Sequence, residues 1–532
     1  MRLFVQSGRS PRREPYDDVW VLLENTWNDY SYRTVYGLYR QTAGSHIHMG
    51  SVKSLRIGQR EVETTLPLGE LPEGRLPDDC ISRGNSLDLY VALVELGQQN
   101  AREVLRNLRD IALHPDLMAP FIDEPGLRVS LHRDEAEPNA FYEDARGVIE
   151  AGGPPPDANG FTFSFAPGPD AEMIEFAFRP ATRVPLHGEV GPSRRMMVLV
   201  GANGVGKTQL LAGLARVAYT PPKERDAVAD SGHFEGQPAF PSIVAVSYSA
   251  FDTFEPPALQ GDSPKAVADQ LRDGSGRYAY CGTRDLASVF LDPDEPAKLL
   301  SPGAQAQLFA ARIDQVRSSD RLELLAQALA PVFREDSFAR LAPPIPNGIL
   351  PTPLARLNAF LGQDPVAAFI SLSSGHMIVL HVLVSLVATL KRRGLALIDE
   401  PETHLHPPLL AALMTGVRRI VDRLGAYGVI ATHSPVVAQE VLASQVRVVE
   451  YGVVGPLVRP VGVQTFGENT GTLTREIFGL HTGATDYRQM LDDMANALNS
   501  VEAVENALGE RLSTQAVAHI VSFLGRRDNA VG

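Results

Sequence analysis

Only two of the 532 residues are cysteine, Cys80 and Cys281. A disulfide framework is excluded, and so is a zinc site built on cysteine. Lysine is nearly as scarce, with six among 49 cationic residues. Against 63 acidic residues this leaves a net charge of −14. A histone-like, indiscriminate binder of polyanions is therefore excluded, and nucleic acid would have to be held by local arginine patches. No apolar run has the length of a membrane span. The longest, residues 377–390, is interrupted by His381 and reads as a buried helix. The first residues, MRLFVQSGRSPRREP, lack the apolar centre of a signal peptide. The expectation is a soluble, cytoplasmic chain with no membrane partner.

Hydrophobic residues make up 44% and charged residues 21%, so the chain can bury a core and is not a disordered one. Residues 1–75 carry Tyr, Val and Ile in loosely alternating runs at 30–41 and 45–57, which predicts strands. Apolar residues then recur at helical spacing over 87–111. Breakers at His114-Pro115 and Asp123–Gly126 place a boundary near residue 125. This gives a small α+β accessory domain, 1–125, with no chemical motif. Arg102, Arg106 and Arg109 share one rough helical face, read as solvated. Residues 126–532 form the second domain. Strands are predicted at 127–131, 161–165, 173–178 and 196–200, with a Gly/Pro-rich loop at 152–160. From 201 onward, strands at 242–248, 395–398, 429–431 and 446–451 alternate with helices. That pattern implies an α/β fold with a largely parallel sheet, a helical insertion at about 255–365 and a helical tail at about 485–532.

The sharpest motif is Gly201-Ala202-Asn203-Gly204-Val205-Gly206-Lys207-Thr208, which fits GxxxxGK[ST] between an apolar strand and a helix. Gly201, Asn203, Gly204 and Gly206 let backbone N–H groups close around phosphate, and the helix start at Lys207-Thr208-Gln209 adds its dipole. Lys207 is expected to reach the β- and γ-phosphates of ATP, and Thr208 to ligate Mg²⁺. Leu395-Ala396-Leu397-Ile398-Asp399-Glu400 is an apolar strand ending in two carboxylates. Asp399 is expected to hold Mg²⁺, and Glu400 to polarise the attacking water. Leu372-Ser373-Ser374-Gly375-His376 precedes an apolar helix, and Ala431-Thr432-His433-Ser434-Pro435 follows a strand. His404 and His406 stand as H-x-H, without the i,i+4 spacing of a helical zinc pair and with no third ligand near.

Ser373 and Gly375 resemble the signature motif of ABC-type ATPases, and His433 resembles their switch histidine. The Glu402–Pro407 stretch resembles the dimer-facing loop of that class. The resemblance implies a mixed, largely parallel ATPase head with an antiparallel β subdomain. It also implies two ATP molecules held between head-to-tail heads, so that Ser373 and Gly375 meet the γ-phosphate bound by Lys207 of a second copy. A homodimer or higher oligomer follows, with Glu400, His433 and Lys207 catalytic. The DEPETHLHP run resembles the OLD and RecF-like soluble branch of AAA-family ATPases. No Toprim, HNH or PD-(D/E)xK nuclease constellation is evident, so this chain is expected not to cut nucleic acid itself. Residues 246–252, 280–284, 370–379 and 466–479 look like the ATPase subunit of Septu-type anti-phage systems. That family implies a separate HNH endonuclease partner and an ATPase that senses and regulates. The head departs from the ABC pattern where a Q-loop glutamine is expected, since Ser249, Phe251 and Asp252 stand there. The alternative is a RecF/OLD-like repair or recombination ATPase. DNA would then be a partner, through Lys391-Arg392-Arg393 and Arg418, Arg419 and Arg423. A third reading is an ATP-gated scaffold with slow turnover.

Overall fold

The structure, a computed structural model, describes residues 1–532 except 9–10, 25–31, 43–45, 62, 86, 133–137, 153–159, 181–182, 185–187, 190–193, 257–262, 275, 293–296, 320, 340–351, 363, 453–454, 479–485 and 532. The interior of the loop expected at 152–160, the Tyr30 end of the first expected strand and Gly479 lie outside the described residues. The described chain divides into two units, Met1–Gly467 and Glu468–Gly532.

The first unit opens with a six-stranded sheet. Its strands are β1 (Leu3–Ser7), β2 (Val19–Glu24), β3 (Val35–Gln41), β4 (His46–Arg56), β5 (Gly69–Glu70) and β6 (Cys80–Gly84). The order is β5-β1-β2-β3-β4-β6, and only β1 and β2 run parallel. Helices α1 (Leu87–Glu95) and α2 (Gln98–Asn107) follow, separated by Gly97 at φ 106°, a conformation open to glycine. With α3 (Pro138–Ala151) they bury Tyr36, Leu55, Leu89, Tyr90 and Leu105 in a core that runs past residue 125 to Ile149. Inside it, the buried Tyr90 hydroxyl accepts the Gly84 N–H at 2.9 Å and donates to Asp110 at 2.9 Å. Residues Leu127–Leu131, expected as a strand, form a helical turn instead. The buried Leu127 and Leu131 are four apart, a spacing that suits a helix as well as a strand. Arg109 leaves the expected arginine face. It lies beyond the end of α2 and turns back to the Cys80 carbonyl at 2.7 Å and Asp78 at 3.1 Å.

Strands β7 (Phe161–Ala166) and β8 (Ile174–Phe178) form an antiparallel layer lined with Phe163, Phe165, Phe176 and Phe178. A ribbon, β9 (Arg183–Val184) with β10 (Gly188–Glu189), leads to β11 (Met196–Val200) and helix α4 (Lys207–Tyr219). Strand β12 (His233–Glu235) joins the antiparallel layer beside β7. Then come β13 (Ile243–Ser247), α5 (Pro264–Asp273), β14 (Tyr278–Gly282), the short pair β15 (Arg284–Asp285) and β16 (Lys298–Leu299), and helices α6 (Leu286–Leu291), α7 (Pro302–Ser318), α8 (Leu322–Leu329), α9 (Asp336–Ala339), α10 (Pro353–Leu361) and α11 (Pro365–Ile370). The span 255–365 is thus mainly helical but also supplies β14. The long apolar run becomes α12 (Ser374–Thr389), in which His381 Nδ1 meets the Tyr248 hydroxyl at 2.8 Å. Among the described residues no helix is long and apolar enough to cross a membrane.

The remaining elements of this unit are β17 (Leu395–Asp399), α13 (Pro407–Leu424), β18 (Tyr427–Thr432), α14 (Pro435–Gln439), β19 (Val446–Tyr451) and β20 (Pro456–Pro460). They complete a seven-stranded sheet in the order β14-β13-β17-β18-β11-β19-β20, parallel apart from the antiparallel edge strand β20. Strands β11, β13, β17 and β18 are buried along their whole length, as strands covered on both faces must be. The result is the expected α/β class, with its antiparallel layer and the α+β portion before it. The second unit contains α15 (Thr470–Phe478), α16 (Asp486–Leu498), α17 (Val501–Leu508) and α18 (Thr514–Val531), the last three packed around Leu491, Ala495, Val504 and Ile520.

Candidate functional site

Strand register decides which side chains meet. Val200 is opposite Thr432, while Asp399 is opposite both Ala431 and Ser247. The carboxyl ends of β11, β13, β17 and β18 therefore lie side by side, where ligands bind in open α/β sheets. From β11 the chain passes through Gly201–Gly206 into α4. Gly204 and Gly206 sit at φ 83° and 92°, values that disfavour a side chain. At Gly201 the constraint is space, because an added methyl would run into the Val449 carbonyl. Asn203, Gly204 and Gln209 are exposed at the mouth of the loop. Lys207 is buried, and its ammonium donates to the carbonyls of Gly201 at 2.9 Å and Ala202 at 2.8 Å.

Thr208 donates to Asp399 Oδ1 at 3.1 Å and Oδ2 at 2.9 Å, joining the start of α4 to the tip of β17. The next residue, Glu400, has φ 45°, a sparsely populated conformation for a residue with a Cβ. Its N–H donates to the Ala431 carbonyl at 2.8 Å. The turn that follows brings in Glu402, which the sequence placed in the expected dimer-facing loop and not beside His433. Its Oε1 accepts from the Thr432 hydroxyl at 2.7 Å and from the His433 N–H at 2.6 Å. His433 Nδ1 lies 3.0 Å from Glu402 Oε1 and 3.8 Å from Glu400 Oε1. The His433 side chain is 41% exposed, with Nδ1 on its buried side and without a hydrogen bond.

Lys207, Thr208, Asp399, Glu400 and His433 are thus gathered at neighbouring strand tips. Ser373 and Gly375 lie at the start of α12. The Ser373 hydroxyl is 2.7 Å from His376 Nδ1, and Gly375 packs so closely on the His404 carbonyl that an added methyl would lie 3.0 Å from it. His404 is itself at φ 67°, and His406 caps α13. In the Q-loop region the buried Asp252 pairs with Arg284 at 2.9 Å and accepts the Tyr280 hydroxyl at 2.8 Å. Phe251 beside it is 92% exposed. Of the arginines considered for DNA, Arg393 pairs with Asp144, Arg418 lies 3.9 Å from Glu440, and Arg419 donates to the Gln327 carbonyl at 2.6 Å.

Burial dominates the electrostatics. It raises Asp399 to about 7, with the Glu400 and Asp252 carboxylates adding and the Thr208 hydroxyl and Lys207 opposing. It also pushes the Lys207 ammonium below its usual range, against the pull of Glu400, Asp399 and Glu402. A buried cation whose direct partners are two neutral carbonyls is suited to pairing with a bound anion. A hydroxyl and a carboxylate that already share one point fit a hard divalent cation such as Mg²⁺.

A largely parallel sheet, a glycine-rich loop opening into a helix, and a carboxylate two strands away bonded to that helix's second residue define a P-loop ATPase fold. Residues 297–438 match the family described as "AAA domain, putative AbiEii toxin, Type IV TA system", which supports an AAA-type ATPase domain. The chain is also 29% identical over 524 residues to protein ea59 of Escherichia phage lambda, covering 94% of each chain.

Proposed function

We propose that this chain binds and hydrolyses ATP with Mg²⁺, pairs with a second copy around the nucleotide, and regulates a separate HNH-type nuclease in anti-phage defence. The observation that carries the ATPase reading is the convergence of Lys207, Thr208, Asp399, Glu400 and His433 on adjacent strand tips. The loop N–H groups and Lys207 would take the phosphates. Thr208 and Asp399 would hold Mg²⁺, which neutralises phosphate charge. Glu400 would orient the attacking water, and His433 would sense the γ-phosphate from the neighbouring strand. The dimer rests on the resemblance in the Ser373–His376 and Glu402–Pro407 segments, and the nuclease partner on that in residues 246–252, 280–284, 370–379, 399–407 and 466–479.

Two experiments test the proposal. Glu400→Gln should bind ATP, lose hydrolysis and accumulate as a nucleotide-bound dimer, and unchanged hydrolysis refutes the role given to Glu400. Co-expression with the neighbouring genes should yield a complex containing an HNH protein. DNA binding that strengthens with ATP and weakens with salt, without such a partner, favours the recombination ATPase instead.

A further inference from the structure

The signature segment is wired to residues far from it in sequence. Ser373, His376, Ser337, Glu335 and His406 form one hydrogen-bonded cluster, and the direction of each hydrogen follows from the carboxylate end. Glu335 Oε2 accepts the backbone N–H of Ser337 at 3.0 Å and of Phe338 at 3.3 Å, together with the Ser337 hydroxyl. Burial works against ionisation of Glu335, but these donors outweigh it and hold the carboxyl below its usual range. A carboxylate only accepts, so Ser337 spends its single hydroxyl hydrogen there. His376 Nε2, 2.8 Å from the Ser337 oxygen, must then be the donor. His406 fits the same polarity. Its Nδ1 accepts the Leu409 N–H at 3.4 Å, which leaves Nε2, 3.4 Å from Ser337 Oγ, to donate as well.

Burial keeps His376 below the ordinary histidine value, with Glu335 opposing and His406 reinforcing. A neutral ring carrying its hydrogen on Nε2 has a bare Nδ1. That nitrogen is 2.7 Å from Ser373 Oγ, so the Ser373 hydroxyl hydrogen points inward, to His376.

We propose that His376 is the positioning residue of the signature loop, turning the Ser373 hydroxyl hydrogen away from the nucleotide that a second copy presents. The inference rests on the reading of Ser373 as a contact to the partner's ATP. With its hydrogen held inward, Ser373 offers only oxygen lone pairs to a phosphate. A proton taken from solvent by His376 puts hydrogen on both ring nitrogens. Nδ1 then donates to Ser373 and frees the serine hydrogen for the phosphate. The groups facing the ring are Ser373 at the cap of its own helix, Ser337, Glu335 and the Phe338 ring at the start of α9, and His406 at the start of α13. An arriving phosphate adds negative charge and favours the same protonation, so engagement of the two heads is coupled to proton uptake.

The test compares the full-length wild type, Ser337→Ala, Ser373→Ala and the double variant in ATP-driven dimerisation at about pH 6 and about pH 8. Ser337→Ala releases Nε2 and lets the ring carry its hydrogen on Nδ1. It should lower the ATP concentration for half-maximal dimerisation about three- to tenfold at the higher pH and narrow the difference between the two pH values. Both effects should vanish when Ser373 is Ala. An equal shift with or without the Ser373 hydroxyl, or no shift, overturns the proposal. Nitrogen NMR of histidine-labelled wild type reads the tautomer with no substitution in the chain, the His376 signal being assigned by its loss in His376→Gln. Hydrogen on Nε2 is expected, and hydrogen on Nδ1 overturns the proposal. Should Ser373→Ala leave dimerisation and hydrolysis unchanged while the NMR shows Nε2–H, the contact with the partner's nucleotide is overturned and the hydrogen direction stands.

Discussion

One oxygen of Glu402 accepts the His433 backbone N–H at 2.6 Å and lies 3.0 Å from the ring Nδ1, which makes no hydrogen bond of its own. The same oxygen takes the Thr432 hydroxyl, so one carboxylate fixes the tip of β18 against the turn that leaves β17. Under the proposed function, the effect of Glu402 on hydrolysis would run through His433. Glu402→Ala should lower turnover about 10- to 100-fold while ATP binding stays within about threefold, because a displaced catalytic group costs rate more than affinity. Single-turnover hydrolysis and equilibrium nucleotide binding measure the two separately. A parallel loss in both would assign Glu402 to the stability of the turn.

The bond from Thr208 to Asp399 predicts a metal-specific defect. Thr208→Ala should raise the Mg²⁺ concentration for half-maximal hydrolysis about 10- to 100-fold, and Thr208→Ser should restore it. Titrating Mg²⁺ at saturating ATP checks both variants.

Two glycines of the loop should fail for different reasons. Gly201→Ala forces a methyl against the Val449 carbonyl and should cost about 1–3 kcal/mol of stability. Gly204→Ala meets nothing in space but sits at φ 83°, so it should cost about 1 kcal/mol. Thermal unfolding of the two variants should rank them in that order.

Buried histidines predict acid sensitivity. Burial lowers His381 to about 4, with Arg312 reinforcing, and lowers His132 likewise, with Arg83 and Lys53 reinforcing. Both rings stay neutral in the fold while the unfolded chain takes up protons near 6.5. Their contribution is therefore complete above about pH 6.5 and is lost as pH falls toward about 4, at roughly 3 kcal/mol for each ring. His381→Gln should flatten that limb of a denaturation-versus-pH curve by up to this amount. A curve of unchanged slope would mean that His381 titrates normally.

The parts of the site legible in the sequence are those whose chemistry demands neighbours in the chain. The phosphate loop must be a run of glycines before Lys207, and the carboxylates must end an apolar strand, so both stand out. Glu402 does not, because its reach to His433 depends on the unusual φ of Glu400, which no spacing announces. His376 was visible only as a member of its motif, since Ser337 and Glu335 come from an earlier helix start. The fold shows the same division. Fully buried strands such as Leu395–Asp399 are plain apolar runs. The parallel pairing of β1 with β2 leaves no mark in composition, and Leu127–Leu131 satisfied two periodicities at once.

Strand β11 has its two sheet neighbours in β18 and β19, both encoded far downstream of it. Among the described residues, the buried hydrophobic core of the sheet of residues 3–84 and its helices uses nothing beyond Ile149. On a ribosome, where the chain emerges from its N-terminus, the first sheet can be complete while the glycine-rich loop still has no strand beside it. The loop gains its footing only after Tyr451 has been made. A nascent or prematurely terminated chain would therefore carry the glycine-rich loop without the strands that flank it, and, under the proposed function, nucleotide binding would mark a chain whose sheet has closed.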